Sequence, residues 1–177
     1  MTIYITSDLH FSHRNILKYE PTSRPWSTVE EMDGTLIRHW NLLVSPNDTI
    51  WHLGDFAFAN PDKTNDILNQ LNGTKKFIIG NHDKKNIHVL KEHGEVFDYK
   101  EIKHKDHHIV LLHYPISFWN RCDHGSLHFF GHLHGSHRPF NRSMDVGYDA
   151  HCRILTLDEA IDMIKDNPIE RRREEAR

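Results

Sequence analysis

The chain has 177 residues, 37% hydrophobic and 27% charged, with 22 Lys+Arg against 25 Asp+Glu for a net charge of −3. These totals fit one folded domain with a real core and exclude a disordered chain. They also lack the broad basic footprint of a dedicated nucleic-acid-binding surface, although bound metal would let a nucleotide-type substrate approach.

In chain order, the β-branched and aromatic run Ile3 to Thr6 predicts a strand that leads straight into Ser7-Asp8-Leu9-His10. Ser27 to Val44 predicts a helix, capped by Ser27 with Glu30 and carrying Val29, Met32, Leu36, Trp40 and Leu43 on one face. Thr49 to Leu53 is a strand ending in Gly54-Asp55, and Asn60-Pro61 opens a helix that Asn72-Gly73 closes. Phe77 to Ile79 is a strand ending in Gly80-Asn81-His82-Asp83, with a third helix to about Lys91. Residues 96–103 and 107–113 predict a hairpin whose second arm ends in His113. Leu127 to Phe130 is a strand ending in Gly131-His132-Leu133-His134; short strands near 143–147 and 153–157 precede a last helix around 158–166. The pattern is α/β, with one domain over 1–168, a partly antiparallel second sheet and a charged tail over 169–177.

Cys122 and Cys152 form neither a disulfide framework nor a C-x-x-C pair and read as reduced thiols. The opening MTIYITSDLH offers no apolar run suited to a signal peptide, and no stretch reaches membrane-spanning length. The expected location is the cytoplasm, with no membrane partner; the oligomeric state is not encoded legibly.

Histidine is the outlier, at 17 residues, and it is both the commonest metal ligand and the side chain that titrates nearest neutrality. Five predicted strands each end in a polar cluster: Asp8-x-His10, Gly54-Asp55, Gly80-Asn81-His82-Asp83, His113, and Gly131-His132-x-His134. Strand ends are where sites assemble in α/β sheets, and the glycines at 54, 80 and 131 suit tight turns and close backbone approach. Residues two apart in extended chain project the same way, so Asp8 with His10, and His132 with His134, can face one centre. Carboxylate, amide oxygen and imidazole suit Mn, Fe, Zn or similar ions, and the ligand count fits two ions sharing a carboxylate. Asp8, Asp55 and Asn81 singly are also common turn residues, but that reading does not explain five ordered clusters together.

The series SDLH at 7–10, GDF at 54–56, GNHD at 80–83, LLHYP at 111–115 and GHLH at 131–134 resembles the calcineurin-like metallophosphoesterases. The longer run SDLHFSHRNI is most similar to small bacterial and bacteriophage members. The resemblance implies a four-layer α/β/β/α sandwich with two mixed sheets. It implies that Asp8, His10 and His134 hold one divalent metal, that Asn81, His113 and His132 hold a second, and that Asp55 bridges them. His82 would contact the phosphate and protonate the leaving oxygen, with Asp83 orienting its ring. The implied reaction is hydrolysis of a phosphate ester by in-line attack of a metal-bridging hydroxide, with Mn favoured and Fe, Zn, Ni or Co also fitting. Phosphodiesters, nucleotide types included, are the expected substrates by analogy with small members. Phe56-Ala57-Phe58 stands where many relatives carry a further acid, which bears on subfamily and not on the metal ligands.

Further substrate contacts are His13 and Arg14 in the opening run, and Trp119 and Arg121 in the segment between two ligand positions; Arg24 and Trp26 have similar standing. His52 reads equally as packing behind the site. Two alternatives stay open: a phosphomonoesterase or protein phosphatase, and a non-catalytic interaction module on the same fold.

Overall fold

The computed structural model describes residues 1–136 and 140–169, so the charged tail from 170 onward lies outside the described residues. Two sheets lie face to face. The first contains β1 (Ile3–Thr6), β2 (Thr49–His52), β3 (Thr74–Ile78), β4 (Gly94–Phe97) and the short β9 (Leu155–Thr156), in the order β4-β3-β2-β1-β9. Its strands are parallel except β9, which runs antiparallel to β1. The second contains β5 (Tyr99–His104), β6 (His107–Leu112), β7 (Leu127–Phe130) and β8 (Ser143–Asp145) in sequence order. β5 and β6 form the antiparallel hairpin, and β6, β7 and β8 are parallel.

Strand alternation divides the apolar residues between two cores. Ile5, Trp51, Leu53 and Ile78 of the first sheet meet Ile109, Leu111, Leu127 and Phe129 of the second, all buried. The opposite face of the first sheet, with Ile50 and Phe77, packs under α2 (Val29–Leu43), α3 (Pro61–Leu68) and α4 (Ile87–His93). α6 (Leu157–Ile164) fills the sandwich rim through Leu157, Ala160, Ile161 and Ile164. On the outer face of the second sheet, Val110, Trp119 and Cys122 pack together under the 113–126 segment, which contains the 3-10 turn Cys122–His124. The architecture is therefore α/β with two mixed sheets, as expected, and its fourth layer is a loop with one short turn.

Several boundaries differ from the sequence reading. The cap of α2 is Thr28, whose Oγ1 accepts from Glu31 N–H at 3.1 Å, one residue later than the Ser27/Glu30 pair. Both pairs have capping spacing; Ser27 instead donates its backbone N–H to Glu31 Oε2. Leu43, expected on the buried face, is 43% exposed. α3 does start at Asn60-Pro61 but stops at Leu68, ahead of Asn72-Gly73. The third helix begins as a 3-10 turn, Asp83–Lys85, before α4. Residues 96–97 belong to β4 of the first sheet and the chain changes sheets at Asp98, so the hairpin starts only at Tyr99. Alternation is equal on both sides of that crossing, which leaves no local signal. Two single-turn helices, α1 (Ile16–Tyr19) and α5 (Tyr148–His151), are too short for periodicity to reveal. Both cysteines are free thiols, Cys122 buried and Cys152 exposed. Among the described residues no helix is long and apolar enough to cross a membrane.

Phe129 is fully buried between the sheets, so Phe129→Ala is expected to destabilise the fold by about 3–5 kcal/mol, read as a lowered urea midpoint. Two buried imidazoles give a second expectation. Burial lowers His52 from 6.5 to about 3 and His128 to about 4. Below pH 6.5 the unfolded chain binds these protons while the folded chain refuses them, so stability is whole above that pH and falls with acid. The slope is up to about 1.4 kcal/mol per pH unit for each histidine. Both His52 nitrogens lack a hydrogen-bond partner. Urea titrations between pH 7 and 4.5 should therefore show His52→Leu with a shallower acid dependence than the parent; an unchanged slope would remove His52 from the account.

Candidate metal centre

All five polar clusters converge at the C-terminal ends of β1, β2, β3, β6 and β7. The first two loops are laced together: Asp8 N–H donates to Gly54 O at 3.0 Å, His10 N–H to Asp55 O at 3.1 Å and Phe11 N–H to Phe56 O at 2.9 Å. The candidate ligand positions share an unusual backbone. Asp8 (φ 56°), His10 (50°), Asp55 (57°), His132 (73°) and His134 (49°) are all left-handed, a region that costs non-glycine residues energy and recurs at functional sites. Two glycines are there because neighbours come close: a Cβ on Gly80 would run into the Asp55 carboxylate, and one on Gly131 into Asp8 and Ser7.

Side chains from different loops meet in two groups. Asp8, His10 and His134 form one, and Asp55, His113 and His132 the other, with potential ligand atoms in each group within 4.8 Å of one another. Asp55 Oδ2 lies 3.7 Å from His10 Nε2, 3.6 Å from His113 Nε2 and 3.9 Å from His82 Nε2, so this oxygen faces both groups. Asn81 Oδ1 is 3.1 Å from His113 Nε2.

The donors fit cations. Asp8 is fully buried and its Oδ1 has no hydrogen-bond partner, nor has either nitrogen of buried His10. His113 donates Nδ1–H to Leu53 O at 2.8 Å, which leaves the lone pair of Nε2 aimed at two oxygens, Asn81 Oδ1 and Asp55 Oδ2. A lone pair facing acceptors is repulsive unless a cation lies among them. Burial pushes the Asp8 carboxyl up to about 8, so that its anion needs nearby positive charge, and holds His10 well below 6.5, so that its ring stays neutral with a lone pair to donate. Burial also lowers His113, against the pull of the Asp55 carboxylate.

A buried network supports the first group from behind. His134 Nδ1–H donates to Asp149 Oδ2 at 2.6 Å, which turns its Nε2 away from Asp149. Asp149 also receives both prongs of Arg24, at 2.8 and 2.9 Å, and the Ser23 hydroxyl. Arg24 then reaches the loop backbone, donating to Asp8 O at 2.6 Å and Leu9 O at 2.9 Å. Burial opposes ionisation of Asp149, yet the His134 and Arg24 hydrogen bonds hold its carboxyl below the usual range. His134 is raised on balance: burial works against its charge, but Asp149 and Asp8 outweigh it. Arg24, weighed from sequence as a substrate contact, is 1% exposed and spent on this network. Asp149 had no signal in the sequence at all, because it sits in α5, remote from every motif.

Asp83 has a different task from the expected one. Its Oδ2 accepts from Asp55 N–H and Gly80 N–H, both at 2.8 Å, and its Oδ1 from Phe56 N–H at 2.9 Å. It ties the second and third loops together instead of orienting the His82 ring. The GNHD spacing places Asp83 at the start of a turn, where backbone N–H groups from neighbouring loops reach its carboxylate first.

His82 stands at the rim, its side chain 40% exposed and its N–H donating to Asp55 Oδ1 at 2.9 Å. Its ring lies 5.6 Å from that of His10 and 6.4 Å from that of His13, which brings His13 to the site as expected. Three sequence candidates fall elsewhere. Trp119 is buried on the outer face of the second sheet, with Nε1–H donating to Ser126 O, and cannot stack on a substrate. Arg121 is an exposed left-handed residue opening the 3-10 turn, and its carbonyl serves local turn hydrogen bonds. Arg14 lines a cavity with Glu30, Asp33 and Lys63 that adjoins the one beside His82 at Ala59 and Asn60.

No protein-family model matches the chain. It is 34% identical to the uncharacterized protein MJ1445 of Methanocaldococcus jannaschii, over 96% of this chain and 94% of that protein. It is 27% identical to the Gene 66 protein of Mycobacterium phage L5, over 91% and 93% of the two chains. Among solved structures, the protein of unknown function AQ665 from Aquifex aeolicus has the same fold, with a TM-score of 0.72 at 26% identity over 92% of this chain and 99% of that one. With 34% identity over nearly the whole of both sequences, the chain belongs to one family with the MJ1445 protein.

Proposed function

We propose that the protein hydrolyses phosphate esters with the aid of two divalent metal ions, and that phosphodiesters are its preferred substrates. The observation that carries this reading is the cluster of buried, unpartnered donors, Asp8 Oδ1 and both His10 nitrogens, beside a His113 lone pair facing two oxygens. Asp8, His10 and His134 would hold one ion, Asn81, His113 and His132 the other, and Asp55 both. Oxygen and imidazole donors suit Mn, with Fe, Zn, Ni or Co also fitting. Such a pair, when bound, supplies Lewis acidity to the phosphoryl oxygens and a water made nucleophilic near neutral pH.

The chain's own residues do the rest. Asp83 and Arg24 hold the loops in register, so the donors are set before substrate arrives. As the water oxygen bonds to phosphorus and the ester P–O bond breaks, the leaving oxygen takes a proton from the His82 ring, which stands at the solvent rim over Asp55. A cavity of about 470 Å³ opens beside His82 and leaves room for a second ester substituent, which favours diesters.

Enzyme stripped of metal and resupplied with Mn, Ni, Zn or Mg should hydrolyse bis-p-nitrophenyl phosphate in a metal-dependent way, faster than p-nitrophenyl phosphate. Preference for the monoester would replace the diester reading with a phosphomonoesterase. Silence on both esters with every metal would favour the interaction module. Asp55→Ala is expected to lose both metal and activity, whereas His82→Ala should keep its metal and lose turnover by about 10²–10⁴-fold. Asp149→Asn, measured by metal titration, is expected to weaken binding about 10–100-fold because it loosens His134 and the Asp8 loop.

A further inference from the structure

We infer that the cavity beside His82 receives the leaving-group half of the substrate, and that this half is a nucleotide, its base against Phe58 and a second phosphate near Lys84 and Lys85. The inference rests on the phosphoesterase reading and adds the substrate class. The cavity's volume, about 470 Å³, lies within the roughly 300–1,000 Å³ usual for small-molecule sites. Asn81 and His82 form part of its wall, so it is continuous with the proposed chemistry. His82 would protonate the departing oxygen; whatever carries that oxygen must therefore lie on this side.

Phe58 identifies the shape of the group. It is 52% exposed, yet it is not loose: its N–H donates to Phe11 O at 2.8 Å, and its ring rests on His13 at 4.4 Å and meets His82 edge-on at 5.3 Å. A large ring held still at the mouth of a polar site offers a preset face on which a flat group can stack. A nucleobase does so without regard to sequence. Ala57 and Pro61 extend the apolar wall.

Charge identifies the rest. The lining includes Lys84 and Lys85 and no carboxylate, in a chain whose net charge is −3. A neutral aryl alcohol would leave those two cations without a purpose; a leaving group with its own phosphate meets them. The chemistry fits a short oligonucleotide or another ester in which a second phosphate lies one nucleoside away from the cleaved bond.

The test uses Mn-loaded full-length protein and four substrates: bis-p-nitrophenyl phosphate, the dinucleotide TpT, and the same dinucleotide carrying a phosphate at its 5′ end or its 3′ end. One phosphorylated dinucleotide should exceed TpT in kcat/KM by about tenfold. Lys84→Ser/Lys85→Ser should bring that ratio close to one. Phe58→Ala, with its metal content and circular dichroism at parent values, should raise KM for the dinucleotides about tenfold. Equal rates on all three dinucleotides, or variants that keep the parent's ratio and KM, would overturn the nucleotide assignment while metal-dependent hydrolysis of the aryl diester still stood. No hydrolysis of any of the four would remove the phosphoesterase reading and the assignment with it.

Discussion

Anionic and lone-pair-bearing groups are gathered here where water cannot reach them. Asp8 is fully buried, His10 and Asp55 are 2% exposed and His113 is fully buried. Groups of this kind destabilise a fold unless they are paired, protonated or bound to a cation. Much of the surrounding structure reads as a response to that constraint. Ordinary hydrogen bonds satisfy one end of Asp8, Asp55 and His113, as with Asp8 Oδ2 and the His132 N–H or His113 Nδ1 and Leu53 O, while His10 has no partner at either nitrogen.

Holding the bare ends in place requires a backbone that would not adopt this shape alone. Five left-handed non-glycine residues cost of order 1–3 kcal/mol each. The offset comes from over-determination by neighbours. The Asp8 loop is bonded to the Asp55 loop through backbone pairs, the Asp55 loop to the Gly80 loop through Asp83, and the Asp8 carbonyl to α5 through Arg24 and Asp149. The two cores beneath make the arrangement rigid, since the sheets present their strand ends at one rim. Rigidity on one side contrasts with openness on the other, where His82, His13 and Phe58 form a half-exposed aromatic edge over a cavity.

Most of the strands, their α/β order and the candidate ligand loops were legible in the sequence because these are local: hydrophobic alternation marks a strand, and each motif falls within a few residues of its end. Period-2 and period-3.6 patterns also identified α2, α3 and α6, with errors of only a residue or a few at their ends. The two motif clusters Asp8-x-His10 and His132-x-His134 were legible as candidate ligand pairs for the same reason.

Features that depend on residues far apart along the chain emerged only with the fold. Arg24 and Asp149 lie 125 residues apart, and neither carries a local pattern that could announce their pairing. Asp83 looks in sequence like a partner for the adjacent His82, yet the fold brings backbone N–H groups from Asp55 and Phe56 to it instead. Trp119 looks like a stacking platform until the outer face of the second sheet buries it. Side-chain type sets what a residue can do; whether it faces core, cation or solvent follows from long-range packing, which no window of the chain contains.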